Sequence, residues 1–136
     1  MLQISLVRTP DVDAVWPRLA AGFQTACEAY DGNEWTAGTL WQLVRTGNGF
    51  LFAVHDASEI VAASIWRFEG ERPDCEFRCH ALYGRDMRQW LTAKREFIEQ
   101  IARENGASKL TARGRAGWSR LFGRKNHDDD YEVTLL

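Results

Sequence analysis

From residue 50 to residue 83 the chain runs through three strand-like segments separated by two short turns. This meander limits the fold more than any other feature of the sequence. Phe50–His55 is almost wholly apolar, as suits a central strand. Asp56-Ala57-Ser58-Glu59 is turn chemistry, and Ile60–Glu69 returns as a partner strand. Gly70-Glu71-Arg72-Pro73 makes the next turn. Residues 74–83 then alternate, with Cys75, Phe77, Cys79, Ala81 and Tyr83 expected on one face and Glu76, Arg78, His80 and Leu82 on the other. A sheet is therefore fixed at the centre of the chain, and the flanking segments must pack on it.

Those flanks are mostly helical. Residues 2–8 alternate moderately and read as a first strand. Thr9-Pro10-Asp11 looks like a helix start, with a hydroxyl cap, a first-turn proline and early acids. Val12, Val15, Trp16, Leu19, Phe23, Cys27 and Tyr30 follow helical spacing. Pro17 fits if the regular helix begins near Asp13, because first-turn N–H groups lack internal partners. Asp31-Gly32-Asn33 ends this helix. Thr36 can cap a second, shorter one with Leu40, Trp41 and Val44, closed by Gly47-Asn48-Gly49. After the meander, Gly84-Arg85-Asp86 opens the longest helix, whose stripe is Met87, Trp90, Leu91, Phe97, Ile98, Ile101 and Ala102. Asn105-Gly106 ends it. A strand at Lys109–Arg113, a short helix with Trp118, Leu121 and Phe122, a polar turn at 126–130 and a last strand at 131–136 complete a β-α-α-β-β-β-α-β-α-β order. Residues 1–136 read as one α+β domain.

Composition narrows the function classes. With 45% hydrophobic and 26% charged residues in 136, the chain is neither disordered nor collagen-like. No run of ~18 apolar residues is present to span a bilayer. The first residues lack the basic and apolar regions of a secretion signal, so a cytoplasmic chain is expected. The net charge of −2 is a cancellation. Residues 1–84 carry −5, residues 85–125 carry +7 and residues 126–136 carry −4. Fourteen of the 17 basic residues are arginine, a bias that a GC-rich genome also produces. Cys27, Cys75 and Cys79 are expected to be free thiols. On a strand Cys75 and Cys79 lie ~13 Å apart, too far to share a zinc at ~2.3 Å, so no metal site is expected. Of six tryptophans, Trp16, Trp41, Trp90 and Trp118 fall on apolar helix faces, Trp35 sits beside a turn and Trp66 lies on a strand.

The element order resembles that of the GNAT superfamily of N-acetyltransferases over essentially the whole chain. The stretch Ala102-Arg103-Glu104-Asn105-Gly106-Ala107-Ser108-Lys109-Leu110 is similar to the end of that family's third helix entering its fifth strand. Trp118-Ser119-Arg120-Leu121-Phe122-Gly123-Arg124-Lys125-Asn126-His127 is similar to its fourth helix. The resemblance implies a mixed central sheet of about six strands with helices on both faces. It also implies acetyl-CoA as cofactor if the chain is active, and none if it is silent. Active members carry a loop of the form Arg/Gln-x-x-Gly-x-Gly/Ala, because backbone N–H groups at a helix N-terminus must approach a pyrophosphate unobstructed. The corresponding stretch here is Tyr83-Gly84-Arg85-Asp86-Met87-Arg88-Gln89-Trp90, in which only Gly84 is small. If the cofactor binds, Tyr83, Gly84, Arg85 and Arg88 are the residues to hold it. Asp86 puts an anion there, and is equally a first-turn acid that stabilises the helix by about 0.5–2 kcal/mol.

The resemblance further implies a base on or near the fourth strand, for which Glu76 and His80 are the candidates; the plainer reading is a polar face meeting solvent. The family's helical Asn and its proton-donating Tyr seven residues later fall on Arg115 and Phe122, and phenylalanine cannot donate a proton. Three readings stand at this point. The first is a non-catalytic GNAT-like protein with a protein partner, similar to the degenerate virion-associated GNAT-like proteins of short-tailed bacteriophages. The second is a divergent acyl-CoA-dependent N-acetyltransferase. The third, least supported, is nucleic-acid binding through Arg113, Arg115, Arg120, Arg124 and Lys125 beside Trp118.

Overall fold

A computed structural model describes residues 2–29, 34–85, 87–113 and 130–135, with side chains undescribed at 87–89, 91–94, 113, 130 and 131. The elements are β1 (Gln3–Leu6), α1 (Val12–Glu28), α2 (Ala37–Arg45), β2 (Phe50–His55), β3 (Ile60–Glu69), β4 (Glu76–Gly84), α3 (Met87–Glu104), β5 (Lys109–Arg113) and β6 (Asp130–Thr134). The expected short helix around Trp118, the turn at 126–129 and the loop residues Asp31, Gly32 and Asn33 lie outside the described residues. The strands form one six-stranded sheet in the order β1-β2-β3-β4-β5-β6. All neighbours pair antiparallel except β4 and β5, which run parallel with α3 as their crossover. This is the mixed α+β sheet expected from the sequence.

Helices cover both faces. On one, Leu19, Phe23 and Cys27 of α1 and Leu40 and Val44 of α2 pack against Leu51, Ala63, Ile65 and Ala81. On the other, Ile98 and Ala102 of α3 pack against Phe52, Trp66, Phe77, Cys79, Leu110 and Ala112. Phe77 anchors this second core, stacked with Phe68 at 4.2 Å and with Trp66 at 5.3 Å, and Phe50 meets it edge-on. Trp66 and Trp90 are buried, whereas Trp16, Trp35 and Trp41 are half-buried. All three cysteines are buried free thiols, and burial pushes the thiols of Cys27 and Cys79 upward in pKa.

The single alternation expected for residues 74–83 is corrected by a β-bulge. Ile65 pairs with Ala81 but the next residue, Trp66, pairs with Cys79, so His80 is the extra residue on β4. Cys75, Phe77 and Cys79 therefore face α3, while Ala81 and Tyr83 face α1. Leu82, expected beside His80, instead packs on the α3 side with Trp90. The start of α1 is corrected as well. Thr9–Asp11 is a 3-10 turn in which neither Thr9 nor Asp11 caps the helix with its side chain. Pro17 lies in the second turn of α1 rather than its first. By contrast Thr36 caps α2 as expected, its Oγ1 accepting from the Thr39 N–H at 3.1 Å.

Glycine at position 22 lets α1 approach β4 closely. A Cβ there would sit 2.6 Å from Cδ2 of the Tyr83 ring, which packs edge-on against Phe23 at 5.0 Å. Gly38 in α2 has open space, its nearest neighbour being Thr36 Oγ1 at 3.8 Å. Helix propensity favours alanine at both sites by up to about 1 kcal/mol. Gly38→Ala should accordingly stabilise, while Gly22→Ala should lose roughly 1–3 kcal/mol through overpacking. Urea denaturation of the two variants checks this, and equal gains at both sites would refute the close approach.

Candidate functional site

β4 pairs with β5 only from Glu76↔Lys109 to Cys79↔Ala112. From His80 to Gly84, β4 continues with no strand partner on that side among the described residues, although its other edge stays paired to β3 as far as Ala62↔Gly84. The bulge lies where the two parallel strands separate. An extra residue bends and twists its own strand, which turns β4 away from β5.

Below this opening, on the α1 face, a polar cluster spans four strands. β3 supplies Arg67 and Glu69, β4 supplies Glu76, Arg78 and His80, β5 supplies Lys109 and Thr111, and β6 supplies Glu132. Glu69 is the hub. Its carboxylate accepts from Arg67 Nη2 at 3.1 Å and from His80 Nε2 at 3.1 Å, and Arg78 Nε lies 3.9 Å away. Glu76 bridges Arg78 at 3.7 Å and Lys109 at 3.9 Å, and Lys109 reaches Glu132 at 3.6 Å. Arg78 also donates to Thr111 Oγ1 at 3.3 Å. Trp35, just before α2, closes one side. Its ring lies 4.8 Å from the His80 ring and 5.4 Å from the Arg67 guanidinium carbon.

His80 is the most enclosed titratable member, with 9% of its side chain exposed. A carboxylate only accepts, so the neutral ring keeps its proton on Nε2 toward Glu69, and Nδ1 carries the lone pair. Burial lowers the His80 pKa from 6.5 to about 4, and Arg67 and Arg78 push the same way while Glu69 opposes them. The ring is thus a neutral, oriented acceptor at neutral pH. The sequence candidates Glu76 and His80 do share one face, joined through Arg78 and Glu69. Glu69, Arg67 and Trp35 were not singled out as site residues. The register Glu69↔Glu76 across the second turn, which only strand pairing reveals, joins Glu69 to that face.

The other candidates stand at the far end of β4. Tyr83 lies against α1, and burial raises its pKa, keeping the phenol protonated. Gly84 has φ of +153°, and a Cβ there would meet Ala62 Cα at 2.8 Å and Val61 O at 2.9 Å, so its missing side chain serves close strand packing. The Arg85 N–H donates to Val61 O at 3.1 Å, and its carbonyl accepts from Trp90 Nε1 at 2.9 Å. The Arg85 guanidinium pairs with Glu59 in the β2–β3 turn. Arg88 is in the first turn of α3, its side chain outside those described, and Asp86, Arg115, Arg120, Phe122, Arg124 and Lys125 lie outside the described residues. Among the described residues no helix is long and apolar enough to cross a membrane, and no group of three His, Cys, Asp or Glu side chains could hold a metal ion.

His80 sets a pH dependence. Between pH 6.5 and about 4 the unfolded chain takes up a proton that the folded ring refuses, so stability falls as the pH drops through that window. His80→Gln keeps a donor toward Glu69 without titrating. Its denaturation midpoint should fall less steeply than that of the parent chain over the same window. Parallel profiles would mean that the ring is not held neutral.

No protein-family model matches the sequence, and neither does any curated protein. Solved structures do match. An N-acetyltransferase from Staphylococcus aureus Mu50 superposes with a TM-score of 0.66 at 11% identity, covering 99% of this chain and 98% of that one. A probable acetyltransferase from Staphylococcus epidermidis ATCC 12228 gives 0.64 at 14% identity, with 100% of both chains covered. A predicted acetyltransferase from Clostridium acetobutylicum, solved with acetyl-CoA, gives 0.63 at 11% identity over 95% of this chain and 93% of that one. Likeness at such low identity is a likeness of backbone, and it establishes that this chain has the GNAT-like α+β fold of those acetyltransferases.

Proposed function

We propose that the chain is an acyl-CoA-dependent N-acyltransferase in which His80, oriented by Glu69, takes the proton from the acceptor amine. The observation that carries this reading is the stretch of β4 that has no partner on its β5 side among the described residues. It begins at His80, where a buried, neutral imidazole stands beside it. A strand edge with unpaired N–H and C=O groups suits an extended, amide-bearing ligand, and the pantetheine arm of coenzyme A carries two amides. The bound cofactor supplies an acyl carbon activated as a thioester.

The chain's own residues do the rest. The Nδ1 lone pair of His80 receives the amine proton, and the Glu69 carboxylate holds Nε2–H and stabilises the imidazolium that forms. Trp35 shields the ring from water on one side. At the other end of β4, Arg85 and the first turn of α3 offer a cation and helix N–H groups to phosphate oxygens. Glu76 is held between Arg78 and Lys109.

A second reading is a scaffold that has lost its chemistry, acting through a protein partner as in the virion-associated proteins the sequence resembles. The cofactor loop favours it. Gly84 is spent on strand packing, and the Arg85 N–H is committed to Val61.

Calorimetric titration with acetyl-CoA and CoA separates the two. Micromolar binding is expected, together with acetyl transfer to an amine panel. His80→Ala should then lower kcat by about 10²–10⁴-fold and leave the CoA affinity unchanged. Absence of binding to the folded chain would sink the acyltransferase reading and leave the scaffold.

A further inference from the structure

We infer that the acceptor amine belongs to a free amino acid, and that Arg67 selects it by binding its carboxylate while the amine meets His80. This inference rests on the acyltransferase reading above and adds to it the chemical class of the acceptor.

Glu69 sets the two groups side by side. One of its carboxylate oxygens accepts from Arg67 Nη2 and the other from His80 Nε2, each at 3.1 Å. Arg67 and His80 are therefore separated by no more than one carboxylate and two hydrogen bonds. An amino acid, whose amine and carboxylate are joined through one carbon, is of the right length to meet both. Trp35 touches both as well, at 4.8 Å from the His80 ring and 5.4 Å from the Arg67 guanidinium carbon. The carbon atoms of a ligand reaching from one to the other would run along the indole.

Of the two arginines beside the ring, Arg67 is the one with donors left for a ligand. A guanidinium presents several N–H groups in a planar fork that matches a carboxylate. The Arg67 side chain is 37% exposed and donates to Glu69 through Nη2. Arg78 is 17% exposed and engaged by Glu69, Glu76 and Thr111. Charge favours the same ligand. Arg67 stands directly opposite Arg78 across β3 and β4, where like charges repel. Among the described residues, Glu69 is the one carboxylate that acts on the His80 ring, against both arginines. The balance beside the imidazole is thus cationic. It disfavours an acceptor with a second ammonium, such as a polyamine, and favours one that brings its own anion.

The test compares acetyl transfer from acetyl-CoA to the common amino acids and to the same amino acids as carboxamides, which keep the amine and lose the anion. The parent chain, Arg67→Gln and Arg67→Lys are assayed, with CoA calorimetry and thermal unfolding alongside. The parent should prefer at least one amino acid over its carboxamide. Arg67→Gln should lower kcat/KM for that amino acid by roughly 10–100-fold, mainly through KM. Arg67→Lys should recover part of the loss, and CoA affinity should not change. Removing a cation also alters His80 itself, but that effect reaches both acceptors alike, so their ratio isolates the carboxylate contact. If the parent uses every carboxamide as well as its amino acid, or Arg67→Gln lowers both equally, Arg67 only supports Glu69. The inference then falls while the acyltransferase reading stands. If no amine of any kind is acetylated, the acyltransferase reading falls first and takes this inference with it.

Discussion

The inserted residue at His80 divides β4 into two strands with different tasks. Before it, Phe77 and Cys79 belong to the core under α3, and β4 is locked between β3 and β5. After it, Ala81 and Tyr83 belong to the core under α1, and among the described residues β4 is paired on one edge only. A regular strand could not serve both cores, because a period of two commits every other side chain to one face. The bulge resolves that conflict and aims His80 toward α1 beside Ala81. It also opens the sheet at the same point. Packing on both faces, the gap between the parallel strands and the orientation of the imidazole therefore follow from one local change of register.

Burial sets the protonation of that imidazole, and the charges around it adjust the balance. Glu69 alone would favour an imidazolium, as a carboxylate at hydrogen-bond distance does. It is already shared with Arg67 and approached by Arg78, and both arginines repel a proton on the ring. Burial then decides the balance in favour of the neutral form. The cluster thus uses two cations to keep a carboxylate from charging the histidine it orients. A polar face meeting solvent, the plainer expectation, would leave the ring titrating near 6.5.

Much of the architecture was legible in the sequence because its signals are local. The apolar run of Phe50–His55, the Thr36 cap, the turn residues at 56–59 and the described part of the α3 stripe (Trp90, Phe97, Ile98, Ile101 and Ala102) each act within a few residues, and each lies where its spacing put it. The bulge was not legible. The alternation through Cys75 and Tyr83 is unbroken in residue type, since Ala81 and Tyr83 suit either core, and only pairing with β3 reveals the extra residue. The same limit hid Glu69, Arg67 and Trp35, which join His80 through register and a helix–helix loop rather than through spacing. Glu76 and His80 were found because they share one strand. Gly84 was read as room for a phosphate, while its packing against Ala62 depends on where a neighbouring strand runs.

The burial of all three cysteines reaches beyond packing. With Cys27, Cys75 and Cys79 at 6%, 7% and 3% exposure, and the first and last of them held as protonated thiols, the folded chain offers almost no thiolate to an electrophile. A colorimetric thiol reagent added to the native protein will therefore read free coenzyme A against a nearly silent background. The same reagent will give a signal of three sulfhydryls per chain only when the core opens, so one optical probe reports both turnover and unfolding.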